Sequence, residues 1–173
     1  ILTSGTLKAG TGFLRTRQIT GLEGRAGVQE YGAESPFSYE KNCLLYLPKT
    51  LDHCRRGSRE EAVMVANHIH SLICSTYGHT LVLFTSYTLM GSVYQILRDS
   101  LPFPMVEVWR HSQEEILRFK TMENGVLFAA GSCWEGVDFP GDMVSSLIIV
   151  KLPFAVPDPI SEAEKETYDS LET

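Results

Sequence analysis

Short apolar segments of strand length alternate with amphipathic helical segments along most of this chain, and this rhythm limits its fold more than any other feature. Continuous apolar runs are typical of strands that helices cover on both faces. Alternating strands and helices therefore predict an α/β fold with a mainly parallel sheet of five or more strands, flanked by helices. Five segments fit, four of them apolar nearly throughout: Cys43–Leu47, Leu81–Thr85, Met105–Trp109, Val126–Ala130 and Ser146–Leu152.

Helix starts are marked by a capping box, in which a serine hydroxyl and a carboxylate three residues later satisfy backbone amides of the first turn. Three such boxes begin at Ser58, Ser112 and Ser161. The first leads into an apolar stripe at three-to-four spacing, formed by Ala62, Val65, Ile69, Leu72 and Ile73. A further helix is predicted to begin near Ser86 and to bury Met90, Val93 and Leu97. Residues 8–40 are rich in glycine without a firm period, and predict a connector with one short helix.

The cysteines and the apolar segments exclude several kinds of protein. No two of the four cysteines, at positions 43, 54, 74 and 133, have the spacing of a zinc or iron–sulfur site. We therefore expect no metal site, and free thiols favour a cytoplasmic protein. No apolar run approaches the roughly 18 residues of a membrane span, so no membrane partner is expected. Cys43 and Cys74 lie in apolar segments and are predicted to be buried thiols.

The net charge of −6 is acidic for a protein that binds nucleic acid, but the charge is unevenly distributed. Residues 156–173 carry six acidic side chains against one lysine, which leaves the rest of the chain almost neutral. The start is locally basic, either as a binding patch or as ordinary solvated charge, with Lys8, Arg15, Arg17 and Arg25 against Glu23. The sequence begins at Ile1 rather than methionine, and we expect it to be part of a longer protein.

Two predicted strand ends carry side chains suited to ligand binding, because the working residues of parallel sheets lie on loops at the carboxyl ends of the strands. Leu81–Thr85 leads into Ser86 and Tyr87, where hydroxyls at a helix start suit a phosphate but equally suit an ordinary cap. Val126–Ala130 leads into the loop Gly131–Gly141, which contains three glycines, a tryptophan and two acids before its last glycine. Glycine lets a backbone approach a ligand closely, although a tight structural loop is the alternative.

Part of this loop, Gly131–Trp134, also matches the sequence around a papain-type nucleophile. That chemistry needs a histidine base downstream, and the last histidine in the sequence is His111. Cys133 is therefore not predicted to be a nucleophile.

Five segments occur in the order found in DinG/XPD-type superfamily 2 ATP-dependent DNA helicases: Thr3–Leu7, Glu34–Tyr39, Leu81–Tyr87, Gly131–Asp138 and Ile149–Phe154. The run Trp-Glu-Gly-Val-Asp followed by Lys-Leu-Pro-Phe is quite specific. The chain resembles the second, C-terminal motor lobe of that family, truncated before motif VI. The resemblance implies a RecA-like, P-loop NTPase-type lobe, with residues 1–40 as the motif III segment and connector from the first lobe and residues 41–173 as the second lobe.

The resemblance also implies roles for individual residues. Motif III would couple the nucleotide state to DNA through Thr3, Ser4, Gly5 and Thr6. In motif V, Gly136 and Asp138 would face the nucleotide. In motif IV, the residues that would contact the DNA strand are Thr85, Ser86 and Tyr87. In motif V, Ser132, Trp134 and Glu135 would either contact the DNA strand or brace the loop.

Three positions depart from the family pattern. Gly5 follows the XPD-like Ser-Gly-Thr rather than the DinG-like Ser-Ala-Thr. Cys133 stands where DinG relatives usually have an aromatic residue. Trp109-Arg110 follows the third predicted strand in place of the usual Gln-Gly, which leaves the DNA contact at that position open.

The motor parts needed for ATP hydrolysis are only partly present. The sequence contains no G-x-x-x-x-G-K-[ST] phosphate loop, no acidic Mg2+-binding run and no motif VI arginine. We therefore expect one lobe of an ATP-dependent helicase that moves 5′ to 3′ on single-stranded DNA and unwinds duplexes, inactive by itself. ATP and Mg2+ would bind in the full-length protein together with the N-terminal lobe, and an iron–sulfur cluster, if there is one, would belong to that lobe.

Two other functions fit the sequence. In the first, the lobe binds single strands or a protein within a parent whose motor is inactive. In the second, the chain is an unrelated α/β nucleotide-binding enzyme, which predicts a glycine-rich phosphate loop after an early strand. No such loop occurs in the sequence.

Overall fold

The structure, a computed structural model, describes residues 1–8, 10, 12–49, 54–110, 113–131, 133–154 and 158–159. The chain forms two compact units, one containing the described residues of Ile1–Lys49 and Pro157–Thr173 and the other those of Thr50–Val156. Each is described separately below.

The first unit contains two short helices, α1 (Leu14–Thr20) and α2 (Tyr39–Asn42), where one was predicted. Helix α1 ends at Gly21, whose left-handed conformation lets the next amide, that of Leu22, bond back to the Arg17 carbonyl at 2.8 Å. Arg17 also forms an ion pair with Glu30, at 2.5 Å. None of the described residues in this unit is buried, so its conformation depends largely on polar contacts such as this ion pair.

The prediction of a strand at Cys43–Leu47 is wrong. The segment follows α2 as irregular chain, and its apolar side chains are exposed, with Leu44 at 92%. A strand exists only where a neighbouring strand accepts and donates its backbone hydrogen bonds, and the described residues provide none here. Cys43 is accordingly exposed rather than a buried thiol.

The second unit is built on four strands, β1 (Thr80–Phe84), β2 (Met105–Val108), β3 (Val126–Ala130) and β4 (Ser146–Ile149). All pairs are parallel and the strand order is β2-β3-β1-β4. The parallel α/β sheet is confirmed, but the described residues form four strands and not the predicted five, since Cys43–Leu47 does not join it.

Helices α3 (Arg59–Ser75) and α4 (Tyr87–Leu97) pack on one face of the sheet, and α5 (Gln113–Lys120) packs on the other. Every residue of β1 and β3 is buried between these layers, which explains their unbroken apolar sequences. A short 3-10 helix (Gly141–Val144) precedes β4. In β4 only one face is covered by described residues, because Leu147 and Ile149 are exposed while Ile148 packs against the α3–α4 side.

The hydroxyl half of the Ser58 capping box is confirmed, while the Glu61 carboxylate bonds the amide of Gly57, one residue before the cap, and the Ser58 amide bonds the Arg55 carbonyl. The Glu61 amide donates to Ser58 Oγ at 3.2 Å, and Glu61 Oε2 accepts from the Gly57 amide at 2.6 Å. Ser112 and Ser161 lie outside the described residues. The buried face of α4 is confirmed as Met90, Val93 and Leu97. The buried face of α3 consists of Ala62, Ala66, Ile69 and Ile73.

Val65 and Leu72, predicted for the apolar stripe of α3, are only partly buried. The smaller Ala66, fully buried, takes the central position instead. Helices α3 and α4 pack side by side on the sheet, and an alanine allows closer approach than a branched side chain.

Candidate nucleotide and nucleic-acid interface

The carboxyl ends of all four strands meet at one edge of the sheet. In the register of the sheet Phe84 pairs with Ala130, Val108 with Ala129, and Leu83 with Ile149. The segments that follow these strands therefore begin side by side, at Thr85, Trp109, Gly131 and Val150. In open parallel sheets this is the edge at which ligands bind.

The segment after β1 combines exposed hydroxyls with a helix cap. Thr85 and Ser86 are exposed. Ser86 Oγ accepts a hydrogen bond from the Leu89 amide at 3.3 Å, so this hydroxyl caps the first turn of α4. The structural role of Ser86 is thus visible, and its contact with DNA stays a prediction, as does that of Thr85.

Tyr87, the first residue of α4, connects this segment to the loop after β3. Gly131 has a φ of +74°, and a Cβ atom built on it would lie 2.8 Å from the Tyr87 hydroxyl oxygen. A side chain at position 131 would therefore be strained and would displace the tyrosine. The glycine predicted to allow close approach to a ligand also allows close approach of Tyr87.

Trp134 makes a second connection between the same two segments. Its indole Nε1 donates to the Phe84 carbonyl oxygen at 3.3 Å, and its partly buried ring packs against the cluster beneath α5. This hydrogen bond joins the loop after β3 to the end of β1. Contact of Trp134 with DNA stays a prediction.

Cys133 lies in the same loop with a φ of +66°, and its partly buried side chain packs against the α5 cluster. Burial raises the pKa of the Cys133 thiol above its ordinary value, because the thiolate would lose hydration. A thiol that stays protonated at neutral pH is a poor nucleophile, which agrees with the expectation that Cys133 is none.

The residues predicted to face the nucleotide lie in the exposed part of the loop. Gly136 has a φ of +74° with open space around its α-carbon, and Asp138 and Glu135 are exposed. An exposed glycine backbone and an exposed carboxylate offer a hydrogen-bond donor and an acceptor in this part of the loop. Ser132 lies outside the described residues.

Trp109 and Arg110 also lie at this edge of the sheet. In the sequence they stood out only as a departure from the family pattern. The Trp109 ring stacks on Tyr87, with ring centroids 5.4 Å apart and an interplanar angle of 14°. The guanidinium carbon of Arg110 lies 5.6 Å from the centroid of the Tyr87 ring. The available signal was two large aromatic residues near predicted strand ends, Trp109 directly after β2 and Tyr87 three residues after the end of β1. The carboxyl ends of parallel strands share one edge of the sheet, which allows such side chains to meet.

The predicted motif III residues belong to the other unit. Thr3, Ser4, Gly5 and Thr6 are exposed, and the Thr6 amide donates to Ser4 Oγ at 3.2 Å in a local turn. Their role in coupling nucleotide state to DNA stays a prediction.

Among the residues that the structure describes, no three His, Cys, Asp or Glu side chains gather closely enough to hold a metal ion. Within those residues, every helix is too short or too polar to span a bilayer.

Known proteins resemble this chain over most of its length. The ATP-dependent DNA helicase YoaA of Haemophilus influenzae is 32% identical over 168 residues, which cover 96% of this chain and 26% of that protein. YoaA of Escherichia coli is 30% identical with the same coverage. A Bacillus subtilis protein named 3'-5' exonuclease DinG is 31% identical over 141 residues, which cover 77% of this chain and 15% of that protein.

The chain therefore spans about a quarter or less of the length of these relatives. A family model described as the helicase C-terminal domain matches residues 69–173, which include all four strands and the loops at their carboxyl ends. Sequence and fold together show that the chain belongs to the helicase C-terminal domain family, with relatives named DinG and YoaA.

Proposed function

We propose that this chain is the second motor lobe of an ATP-dependent DNA helicase that moves 5′ to 3′ on single-stranded DNA and unwinds duplexes. The observation that carries the proposal is the pairing of two loops at one sheet edge. Tyr87 and Trp134 fix the Gly131–Asp138 loop on the segment that follows β1. A loop braced in this way holds a ligand-binding backbone in one geometry, as a site that senses a nucleotide requires. Relatives named ATP-dependent DNA helicase support the same function.

The nucleotide in this proposal is ATP with Mg2+, and this chain supplies one side of the cleft. Gly136 and Asp138 offer a backbone amide and a carboxylate, which fit the hydroxyl groups of ATP. A Mg2+-bound triphosphate requires cations and a phosphate loop, and the sequence has no such loop. We therefore assign the triphosphate, the metal and any iron–sulfur cluster to a first lobe. Residues 1–40 would be the motif III segment and connector of that first lobe, and residues 41–173 would be the second lobe. Thr3, Ser4, Gly5 and Thr6 would then relay the nucleotide state.

The DNA strand in this proposal follows the same edge of the sheet. Hydroxyl groups of Thr85 and Ser86 are exposed there, next to the ring of Tyr87. Glu135 and the partly exposed Trp134 lie on the adjoining loop, together with Ser132 in the sequence. The four unpaired cysteines of the chain fit a reducing compartment, and we place the protein in the cytoplasm.

The experiment measures ATP hydrolysis with and without single-stranded DNA, on this chain alone and on the full-length protein that contains it. We expect hydrolysis, and its stimulation by DNA, only in the full-length protein. Asp138→Asn should raise the KM for ATP in that protein. Asp142→Asn, an exposed aspartate in the neighbouring 3-10 helix, is the matched control and should leave KM unchanged. Hydrolysis by this chain alone, or an unchanged KM in Asp138→Asn, would contradict the proposal.

The direction of movement is tested with tailed duplexes. A motor that moves 5′ to 3′ unwinds a duplex with a 5′ single-stranded tail and leaves one with only a 3′ tail intact. Faster unwinding of the 3′-tailed duplex would reverse the proposed polarity and leave the assignment of the lobe unchanged.

A second candidate function is a lobe that binds single strands or a protein in a parent with an inactive motor. The observation that favours it is the name of the Bacillus subtilis relative, which contains the word exonuclease and not helicase. Under this function the full-length protein binds single-stranded DNA but hydrolyses no ATP. The hydrolysis experiment above therefore separates the two candidates.

A further inference from the structure

We propose that Trp109, Tyr87 and Arg110 form a stacking site for one base of a single-stranded nucleic acid, with Arg110 contacting the adjoining phosphate. The inference rests on the proposed DNA interface and adds to it a residue pair that departs from the family pattern. It names the contact by which this chain holds the strand at the β2 side of the sheet edge.

The two rings are held in place by the fold. Trp109 directly follows β2 and Tyr87 begins α4, and their rings stack at 5.4 Å. On the α4 side, a Cβ atom at Gly91 would lie 3.7 Å from Trp109 Cζ2, which is ordinary van der Waals contact. The indole therefore lies over the first turns of α4 with Tyr87 and Gly91 as its support. A ring fixed in this way loses little conformational entropy when a base stacks on it.

Trp109 nevertheless stays accessible. Its exposed fraction is 45%, whereas Phe84 and Phe128, the aromatic residues of β1 and β3, are fully buried. An indole that packs on a fixed ring and still keeps 45% of its residue exposed suits a flat apolar partner. Nucleobases stack on such rings with little dependence on their identity, because every base has a π face.

The charges at this edge are mixed, so stacking carries more of the affinity than charge does. Arg110 and Lys151 are exposed at the ends of β2 and β4, and Glu135 and Asp138 are exposed on the loop between them. Two cations against two carboxylates give little net attraction for a phosphate backbone. Arg110 still contributes one local phosphate contact, and it lies close enough to Tyr87 to join the same stack.

The experiment compares two labelled oligonucleotides of equal length, one with bases and one with abasic sugar–phosphate units, by fluorescence anisotropy on the whole 173-residue chain. We expect the base-bearing strand to bind about tenfold more tightly. Trp109→Ala should remove most of that preference, and Trp109→Phe should keep much of it. Tyr77→Ala, an exposed aromatic residue just before β1 at the opposite edge of the sheet, is the matched control and should change nothing.

Two further measurements leave the Trp109 side chain intact. The chain has two tryptophans, so Trp134→Phe leaves Trp109 as the only indole, and its emission should be quenched as the base-bearing strand binds. Arg110→Gln should reduce the log–log salt dependence by about 0.7, the value for one single-strand phosphate contact. Arg98→Gln, at the far end of α4, removes the same charge as a control.

The outcomes separate this inference from the proposed function. Equal binding of both strands by the unaltered chain, or unchanged Trp109 emission at saturating DNA, would overturn the stacking site and leave the DNA interface standing. An absence of binding to either strand would overturn both. Loss of the base preference in Trp109→Ala, with a far-ultraviolet circular dichroism spectrum like that of the unaltered chain, supports the site.

Discussion

Substitution of Gly131 by alanine tests the contact that joins the two loops of the proposed interface. Two costs follow from the structure. An alanine held at a φ of +74° is strained by about 1 kcal/mol. Its methyl group would lie 2.8 Å from the Tyr87 hydroxyl oxygen, and relief of such overpacking costs about 1 kcal/mol more, because stacking on Trp109 limits how far the tyrosine ring moves. We expect Gly131→Ala to lower the free energy of unfolding by about 2 kcal/mol.

Tyr87→Phe separates these two costs. Without the hydroxyl, the nearest tyrosine atom to the new methyl group is the ring carbon Cζ at 3.6 Å, an ordinary contact distance. The double variant Gly131→Ala/Tyr87→Phe should therefore recover about 1 kcal/mol relative to the sum of the single variants. Urea unfolding followed by circular dichroism measures all three free energies.

Gly136→Ala is the matched control, because Gly136 has the same φ of +74° and nothing within 4 Å of the added carbon. It should lose about 1 kcal/mol from backbone strain alone and show no coupling to Tyr87→Phe. If Gly131→Ala cost no more than Gly136→Ala, and no coupling appeared, the placement of the Tyr87 hydroxyl against Gly131 would be refuted.

Two other predictions concern the thiols and a helix cap. At neutral pH iodoacetamide should label the exposed Cys43 before Cys133, because burial raises the pKa of the Cys133 thiol and lowers its thiolate fraction. The rate of Cys133 labelling should rise as the pH approaches that raised pKa. Peptide mass spectrometry over a time course measures both rates, and labelling of Cys133 before Cys43 would contradict the prediction. Ser58→Ala should lower the free energy of unfolding by about 1 kcal/mol, since the Glu61 amide loses its acceptor. Ser75→Ala, an exposed serine at the other end of α3, should change it by less than about 0.5 kcal/mol, and equal effects in urea unfolding would contradict the capping role.

The strands of the sheet were predictable because burial on both faces requires short, continuously apolar segments of sequence. Val126–Ala130 is a strand over the predicted range, and Leu81–Thr85 is displaced by one residue at each end. Both are apolar at every position or nearly so, as burial on two faces requires. The same reasoning failed at Cys43–Leu47, where an equally apolar run has no neighbouring strand. Whether a run pairs depends on residues far away in sequence, which a local pattern does not contain.

The candidate site was predictable in its location and less so in its contacts. The rule that ligands bind at the carboxyl ends of parallel strands identified the segments at Thr85 and Gly131. The stack of Tyr87 on Trp109 and the hydrogen bond from Trp134 to Phe84 depend on the order of the strands, since β3 is the neighbour of β1 and β2 follows on the other side of β3. The order β2-β3-β1-β4 supplies that information, and it cannot be read from the spacing of residues along the chain.

The strand order also has a consequence for folding of the protein during its synthesis on the ribosome. Among the residues that the structure describes, β1 is the earliest strand, yet its two partners, β3 and β4, are both made later. At about 5–20 residues per second, several seconds pass between the synthesis of β1 and that of β4. During that interval α3 and α4 are able to pack together, but both edges of β1 lack a partner until β3 has been made, and one edge lacks a partner until β4 follows. We expect the nascent chain to be most prone to misassociation in this interval, and to need protection by a chaperone until Ser146–Ile149 has left the exit tunnel.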